Sequence, residues 1–339
     1  MKAITVREPG DETMLELREI PAPLLSSPTE VRIAVEATAV NRADLLQRQG
    51  QYPPPPGASP ILGMEGGGRI TEVGSAVSGW KKGDRVMALL AGGGYAEETV
   101  VDEKCVMAVP DTLSFEEAGA FPETFLTAFL NIFLLGEAVE GQSLLVHGGG
   151  SGVGTSSIIL GKLAGLKVIV TAGSDEKCRR CLELGATNAI NYRKTNFAEE
   201  IGRITEGKGV DLILDSIGGP YLEPNIDSLT FNGTLVMIGG MGGRKGEVDI
   251  GRVLSNHLRI LGSTLRSRSA EQKGIIISAF LKMFGKDLQQ GRIRPVIDRV
   301  LPLAEAAAAH ESMKKSEHFG KIVLRVGASD EPKPAATAS

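Results

Sequence analysis

A chain of 339 residues, 42 % hydrophobic and 23 % charged, has the composition of a folded protein with one large or two medium domains. A net charge of −4 gives no electrostatic footprint for nucleic acid or an anionic membrane, and no apolar run approaches the ~20 residues that span a bilayer. The opening MKAITVREPG lacks the apolar core of a secretory signal, and three cysteines (Cys105, Cys178, Cys181) suit a reducing compartment, so a cytoplasmic location is expected.

The first third reads as strands. Ala3–Val6, Val31–Ala39 and Gly68–Val73 are β-branched runs bounded by Pro, Gly and Ser, with turn signals in PAP (21–23), PPPPG (53–57) and GWKKGDRV (79–86). They predict a small, irregular β-rich domain. From about Phe121 the rhythm changes: Leu144–His147, Val168–Thr171, Ala189–Asn191, Leu212–Asp215 and Leu235–Ile238 alternate with helical segments at 153–164, 175–184 and 196–205. That alternation predicts an α/β fold with a doubly wound parallel sheet of right-handed βαβ units. After Gly262 it gives way to a helix over about 269–290, the stretch Val296–Pro302, an Ala-rich helix at 303–315 and a strand Lys321–Val326. The polar tail SDEPKPAATAS (329–339) predicts disorder. Cys178 and Cys181 form C-x-x-C in the middle of a helical pattern rather than at a helix N-terminus, which favours a structural role over a redox one.

The strongest chemistry lies in SLLVHGGGSGVGTSSIILGKLAG, where a strand runs through Gly148, Gly149, Gly150, Ser151, Gly152, Val153 and Gly154 into an apolar helix. Glycines there allow a sharp turn and close backbone approach to a pyrophosphate, whose charge the helix N-terminus stabilises. Dinucleotide binding follows. NAD sites place an acid at the tip of the second strand, but here the tip reads Val170, Thr171, Ala172, Gly173, Ser174. Asp175 and Glu176 come one step later, as the first helical turn, while Lys177 and Tyr192 are placed to meet a 2′-phosphate. NADPH is the expected cofactor.

The order of AVNRADLLQRQGQYPPPPG, PILGMEGGGRITEVG, KKGDRVMALL, GGYAEE, LTAF, VHGGGSGVG, ELGA and HFGKIVL resembles zinc-independent quinone oxidoreductases of the medium-chain dehydrogenase/reductase superfamily. The resemblance runs from Met1 to about Val326 and is nearest the p53-inducible subgroup, through Tyr52 in GQYPPPPG and Ser151 in the phosphate loop. It implies a GroES-like catalytic domain from 1–122 and 268–328 and a Rossmann NADPH-binding domain at 123–267, with the cofactor in the cleft between. Carried over position by position, it implies cofactor contacts at Gly150, Ser151, Gly152, Val153, Gly154, Gly173, Lys177, Tyr192, Ile217 and Leu265. On the nicotinamide side it implies Asn41, Tyr52, Thr127, Gly239 and Met241. It also implies a homodimer paired through edge strands near Leu235–Gly239 and Arg259–Gly262.

Zinc-dependent relatives carry Cys where this chain has Asn41 and His where it has Met64, so neither supplies the thiolate or imidazole that catalytic zinc takes. His147, His257, His310 and His318 are scattered, and no metal is expected. Without a Lewis acid, the suitable acceptor is already electron-poor, a quinone or an α,β-unsaturated carbonyl. Tyr52 can stack on such an acceptor or donate to its oxygen, Asn41 can bond the nicotinamide ribose or the acceptor, and both are the candidate catalytic residues. Asp44 is expected to brace its helix and Glu65 to make a structural hydrogen bond. NADPH-dependent quinone reduction is therefore the first reading. Reduction of enones or enoyl substrates, and a non-enzymatic NADPH-binding role, are the alternatives.

Overall fold

The computed structural model describes residues 1–326; the expected disordered tail at 329–339 lies outside the described residues. Strand β1 (Lys2–Val6) pairs antiparallel with β2 (Leu15–Glu19). The long β3 (Glu30–Ala39) buries Val31, Ile33, Val35, Ala37 and Ala39 on one face, the period-2 alternation of a half-covered strand. Helix α1 (Arg42–Arg48) follows, then β4 (Glu65–Val73), β5 (Arg85–Leu89), β6 (Glu98–Asp102) and β7 (Val106–Ala108). The short α2 (Phe115–Gly119) leads into α3 (Pro122–Phe129), which starts with Pro at its first turn and runs on into a π-turn at Leu130–Leu135.

The second layer is regular. Strands β8 (Ser143–His147), β9 (Lys167–Ala172), β10 (Asn188–Asn191), β11 (Val210–Asp215), β12 (Leu229–Met237) and β13 (Arg259–Gly262) alternate with α4 (Gly152–Leu163), α5 (Asp175–Leu184), α6 (Phe197–Ile204), α7 (Leu222–Ser228) and α8 (Ile250–Ser255). All pair in parallel, in the order β10-β9-β8-β11-β12-β13. The order reverses beside β8, because the chain winds outward to β10 and then crosses to β11; ligands of open α/β sheets bind at such a switch point. Three of these helices begin on Ser or Asn caps: Ser151, Ser174 and Asn196 each accept a hydrogen bond from the first turn.

After α9 (Ala270–Gln289), opened by a Ser269–Gln272 capping box, the chain adds β14 (Ile297–Pro302), α10 (Ala306–Lys315) and β15 (Lys321–Arg325). β15 lies antiparallel to β3, with Val323 opposite Ala39, in a sheet ordered β14-β15-β3-β4-β5-β7; β6 also pairs with β3. The C-terminal segment thus returns to the N-terminal sheet, giving a GroES-like domain beside a Rossmann-like one. Helices α3 and α9 are locked by aromatic packing. Phe121 stacks on Phe125 at 4.3 Å, and Phe280 meets Phe129 edge-on at 5.5 Å.

Two expectations need correction. β12 is paired on both sides, by β11 and β13, so Leu235–Gly239 is not a sheet edge; the edge strand at that end of the sheet is β13, as β10 is at the other. β12 also begins six residues before the expected Leu235, at Leu229, which pairs with Val210 before a register shift resumes the ladder at Leu212 opposite Thr234. The cysteines behave as expected of structural ones: Cys178 and Cys181 are buried along α5, and burial pushes the Cys181 thiol up to about 12. None of the helices among the described residues is long and apolar enough to cross a membrane.

Candidate active site

β8 delivers the chain to Gly148, whose φ of +76° suits glycine, and then to the cap of α4, where Ser151 Oγ accepts from Gly154 N at 2.9 Å. A Cβ on Gly154 would stand 2.3 Å from the Gly148 carbonyl, and one on Gly149 would stand 2.7 Å from Val170. Strand and helix are this close only because no side chain intervenes. The first amides of α4 have no partner within the helix and face outward from the turn, the donor set an anionic phosphate takes. The loop fits a dinucleotide. Ser151 spends a lone pair on the cap, while its hydroxyl hydrogen has no acceptor among the described residues.

At the tip of β9 both nearby acids are occupied. Asp175 accepts from Asn191 Nδ2 at 2.7 Å and pairs with Lys194; Glu176 pairs with Arg179 at 2.6 Å. A Cβ on Gly173 would lie 2.7 Å from the Tyr192 hydroxyl and 3.6 Å from Arg193 Nε, so these two side chains stand over the tip. Lys177 is half-buried and donates from Nζ to the Ser316 carbonyl at 2.6 Å; burial, with Arg193 nearby, depresses its pKa against the opposing pull of Asp298. The Arg193 guanidinium has no hydrogen-bond or ion-pair partner among the described residues. Sequence reading passed over Arg193, although it directly follows Tyr192.

Asn41 and Glu65 meet around an ammonium. Lys321 Nζ donates to Glu65 Oε1 (2.8 Å), Asn41 Oδ1 (2.7 Å) and the Val40 carbonyl (3.2 Å), and Asn41 Nδ2 donates to the same Glu65 oxygen at 2.8 Å. Glu65 Oε2 accepts from Glu123 N at 2.9 Å. Glu65 thus makes far more than one structural bond, and Lys321, nearly 3 % exposed at its side chain, is the partner that sequence reading did not name. An amide, the Met64 thioether and a carboxylate already bonded to a lysine do not make a zinc donor set. Among the described residues, no three His, Cys, Asp or Glu side chains gather to hold a metal. Asp44 braces α1 as expected, accepting from Asn41 N (2.8 Å) and Gly63 N (3.0 Å), and its burial pushes the carboxyl up to about 6.

This polar knot and the glycine loop are neighbours. A Cβ on Gly152 would stand 2.6 Å from Lys321 Cδ and 2.9 Å from Thr124 Cγ2. Thr127 follows on α3, half-buried, its carbonyl accepting from Asn131 Nδ2. Tyr52 is half-buried, and its hydroxyl makes no hydrogen bond to another described residue. It is clamped by Arg266, whose guanidinium lies 5.3 Å from the ring centroid and donates to Ala91 O at 2.8 Å and to Gln47. Arg266 is 3 % exposed and was not singled out from sequence, since nothing in STLRSRS marks which arginine is buried. At the end of β11, buried Asp215 accepts from Ile217 N (2.7 Å) and Gly218 N (3.0 Å), and Met241 N donates to Ser216 O. Gly239 lies against Ser216, Met241 is exposed, and Leu265 is packed into the apolar core.

Two family models match the chain: Alcohol dehydrogenase GroES-like domain over residues 27–111, and Zinc-binding dehydrogenase over 152–279. Quinone oxidoreductase of Rattus norvegicus is 32 % identical over 96 % of this chain and 97 % of its own length. The chain belongs to the quinone oxidoreductase-like family of medium-chain dehydrogenases/reductases. It is an oxidoreductase. Among solved structures, Escherichia coli quinone oxidoreductase complexed with NADPH is 27 % identical with a TM-score of 0.83, covering 96 % of this chain and 100 % of that one. CurK enoyl reductase is 28 % identical with a TM-score of 0.83, covering 96 % and 99 %.

Proposed function

We propose that this oxidoreductase reduces quinones with NADPH and does so without a metal. The observation that carries the reading is the pairing of a glycine cradle at the switch point with a β9 tip whose acids are neutralised, where Arg193 is unpaired among the described residues and the Lys177 ammonium donates to the Ser316 carbonyl, both close to Tyr192. Gly150 to Gly154 would hold the pyrophosphate, and Lys177, Tyr192 and Arg193 the 2′-phosphate. Ile217, Gly239, Met241 and Leu265 would border the nicotinamide half opposite Asn41, Tyr52 and Thr127. Bound there, the cofactor supplies hydride. The chain's own part is to position an electron-poor acceptor against it, with the Tyr52 ring as a stacking face and the Tyr52 hydroxyl free to donate to an oxygen gaining charge. The similarity of E. coli quinone oxidoreductase complexed with NADPH supports both choices. The second reading, enoyl or enone reduction, is favoured by the similarity to CurK enoyl reductase. A second copy of the chain would pair along β13, the edge strand next to β12.

The test is steady-state oxidation of NADPH and of NADH with a panel of ortho- and para-quinones beside alkenals. NADPH with a quinone is expected to give the highest kcat/KM; a large alkenal preference would overturn the acceptor, and a preference for NADH would overturn the cofactor. Arg193→Ala is expected to lower kcat/KM for NADPH roughly 10- to 100-fold, the worth of a charge-assisted phosphate contact, with NADH changed by less than about twofold. Equal losses with both cofactors would remove Arg193 from the phosphate site.

A further inference from the structure

Glu123 sits in the first turn of α3, four residues before Thr127 and on the same helical face. Its peptide N–H holds Glu65, which holds Asn41 and Lys321. The residue as a whole is half-buried, yet its Oε2 is sealed from solvent and has no hydrogen-bond partner. A buried carboxyl oxygen left unpaired is costly and calls for an occupant or a function. Charged and titratable groups from every neighbouring element act on it: Asp44 of α1, Glu65 of β4, Lys321 of β15 and Lys273 of α9, while its own charge bears on Tyr52 and Arg266. Burial first, then the nearby Glu65 carboxylate, pushes its carboxyl up to about 8, so at neutral pH it holds a proton. Lys273 is 4 % exposed, and among the described residues its ammonium makes neither a hydrogen bond nor an ion pair; its charge favours the ionised form of Glu123. Cys105 is the remaining titratable group beside it.

Resting on the reductase reading above, we propose that Glu123 is the proton donor of the reaction and that Lys273 is a positioning residue that stabilises the carboxylate left behind. The acceptor gains a hydride from the dihydronicotinamide, which leaves as the oxidised nicotinamide. The resulting oxyanion takes the Glu123 proton: the carboxyl O–H breaks and an O–H forms on the hydroquinone. Water returns a proton to Glu123 before the next turnover. Sequence gave no general acid because a glutamate in PETFLTAF is indistinguishable from an ordinary acid in a first helical turn.

The acid works only when protonated, so kcat with a quinone is expected to fall as pH rises through about 8. Glu123→Gln should lose that limb and lower kcat roughly 100-fold, within the range of general-acid contributions. NADPH affinity by fluorescence titration should change less than about twofold. Lys273→Met should carry the limb to higher pH, because removing a nearby cation favours the neutral acid. Infrared difference spectra of the NADPH-bound protein should show a neutral carboxylic acid band at neutral pH that vanishes on raising the pH and in Glu123→Gln. Wild-type kcat with an unmoved limb in Glu123→Gln, or no such band in the wild type, would overturn the proposal. A wild type inert toward every quinone and alkenal would overturn the functional reading and this proposal with it. The two failures differ in whether the wild type turns over.

Discussion

Lys321→Met should destabilise the protein by about 3–5 kcal/mol, read as a fall in the midpoint of urea unfolding, because it leaves the Glu65 carboxylate buried without its counter-charge. Glu65 is 0 % exposed and spends one oxygen on both Lys321 and Asn41. The Glu123 amide and the Asn41 amide would remain to it, but neither carries charge. Adding Glu65→Gln in the same chain should recover more than about half of the loss, since a buried pair removed on both sides forfeits less than one broken on one side. If the single substitution costs under about 1 kcal/mol, the knot contributes no more than a surface pair. A loss as large in the double variant would assign the effect to the packing of the lysine stem under Gly152 instead.

Gly154→Ala should weaken NADPH binding at least ~100-fold, about 2.7 kcal/mol, measured by fluorescence titration. The added methyl would meet the Gly148 carbonyl at 2.3 Å and the Gly149 backbone at 2.7 Å, and backbone atoms have no rotamer by which to withdraw. The turn must open, and the α4 amides then no longer converge on one phosphate. Gly202→Ala is the matching control. It lies in α6 with nothing within 4 Å of its added Cβ, so it should leave binding unchanged and raise stability by up to about 1 kcal/mol through helix propensity. Unaltered affinity in Gly154→Ala would mean that the cofactor does not lie on this loop.

What could be read from sequence was what local period and local chemistry encode. The alternation of β3, the run of apolar strands in the second layer and the glycine loop each announce themselves within ten or so residues. The loss of zinc ligands at Asn41 and Met64 was equally visible. Their replacement was not: Lys321 arrives 280 residues after Asn41, and its GKIVL setting reads as an edge strand with a solvated lysine. Arg266, Glu123 and Lys273 share that difficulty, since burial of a charge depends on elements that meet only after folding. The edge assigned to Leu235–Gly239 failed for a related reason, because strand order is a property of crossovers and not of the strand.

The return of β15 to β3 bears on how the chain is made. The β15 side of Ala37–Ala39 is covered only when Val323–Arg325 have been synthesised, whereas β8 to β13 are contiguous in sequence. Emerging from a ribosome, the nucleotide-binding half can close while the N-terminal sheet still lacks both its neighbour and the lysine that neutralises Glu65. Those pairings are of high sequence separation, so completion of the N-terminal half is expected to follow closure of the nucleotide-binding half. Until then the β3 edge that β15 covers stands open and Glu65 lacks its counter-charge, so a chain truncated before Ile297 is expected to be more readily proteolysed than the full chain.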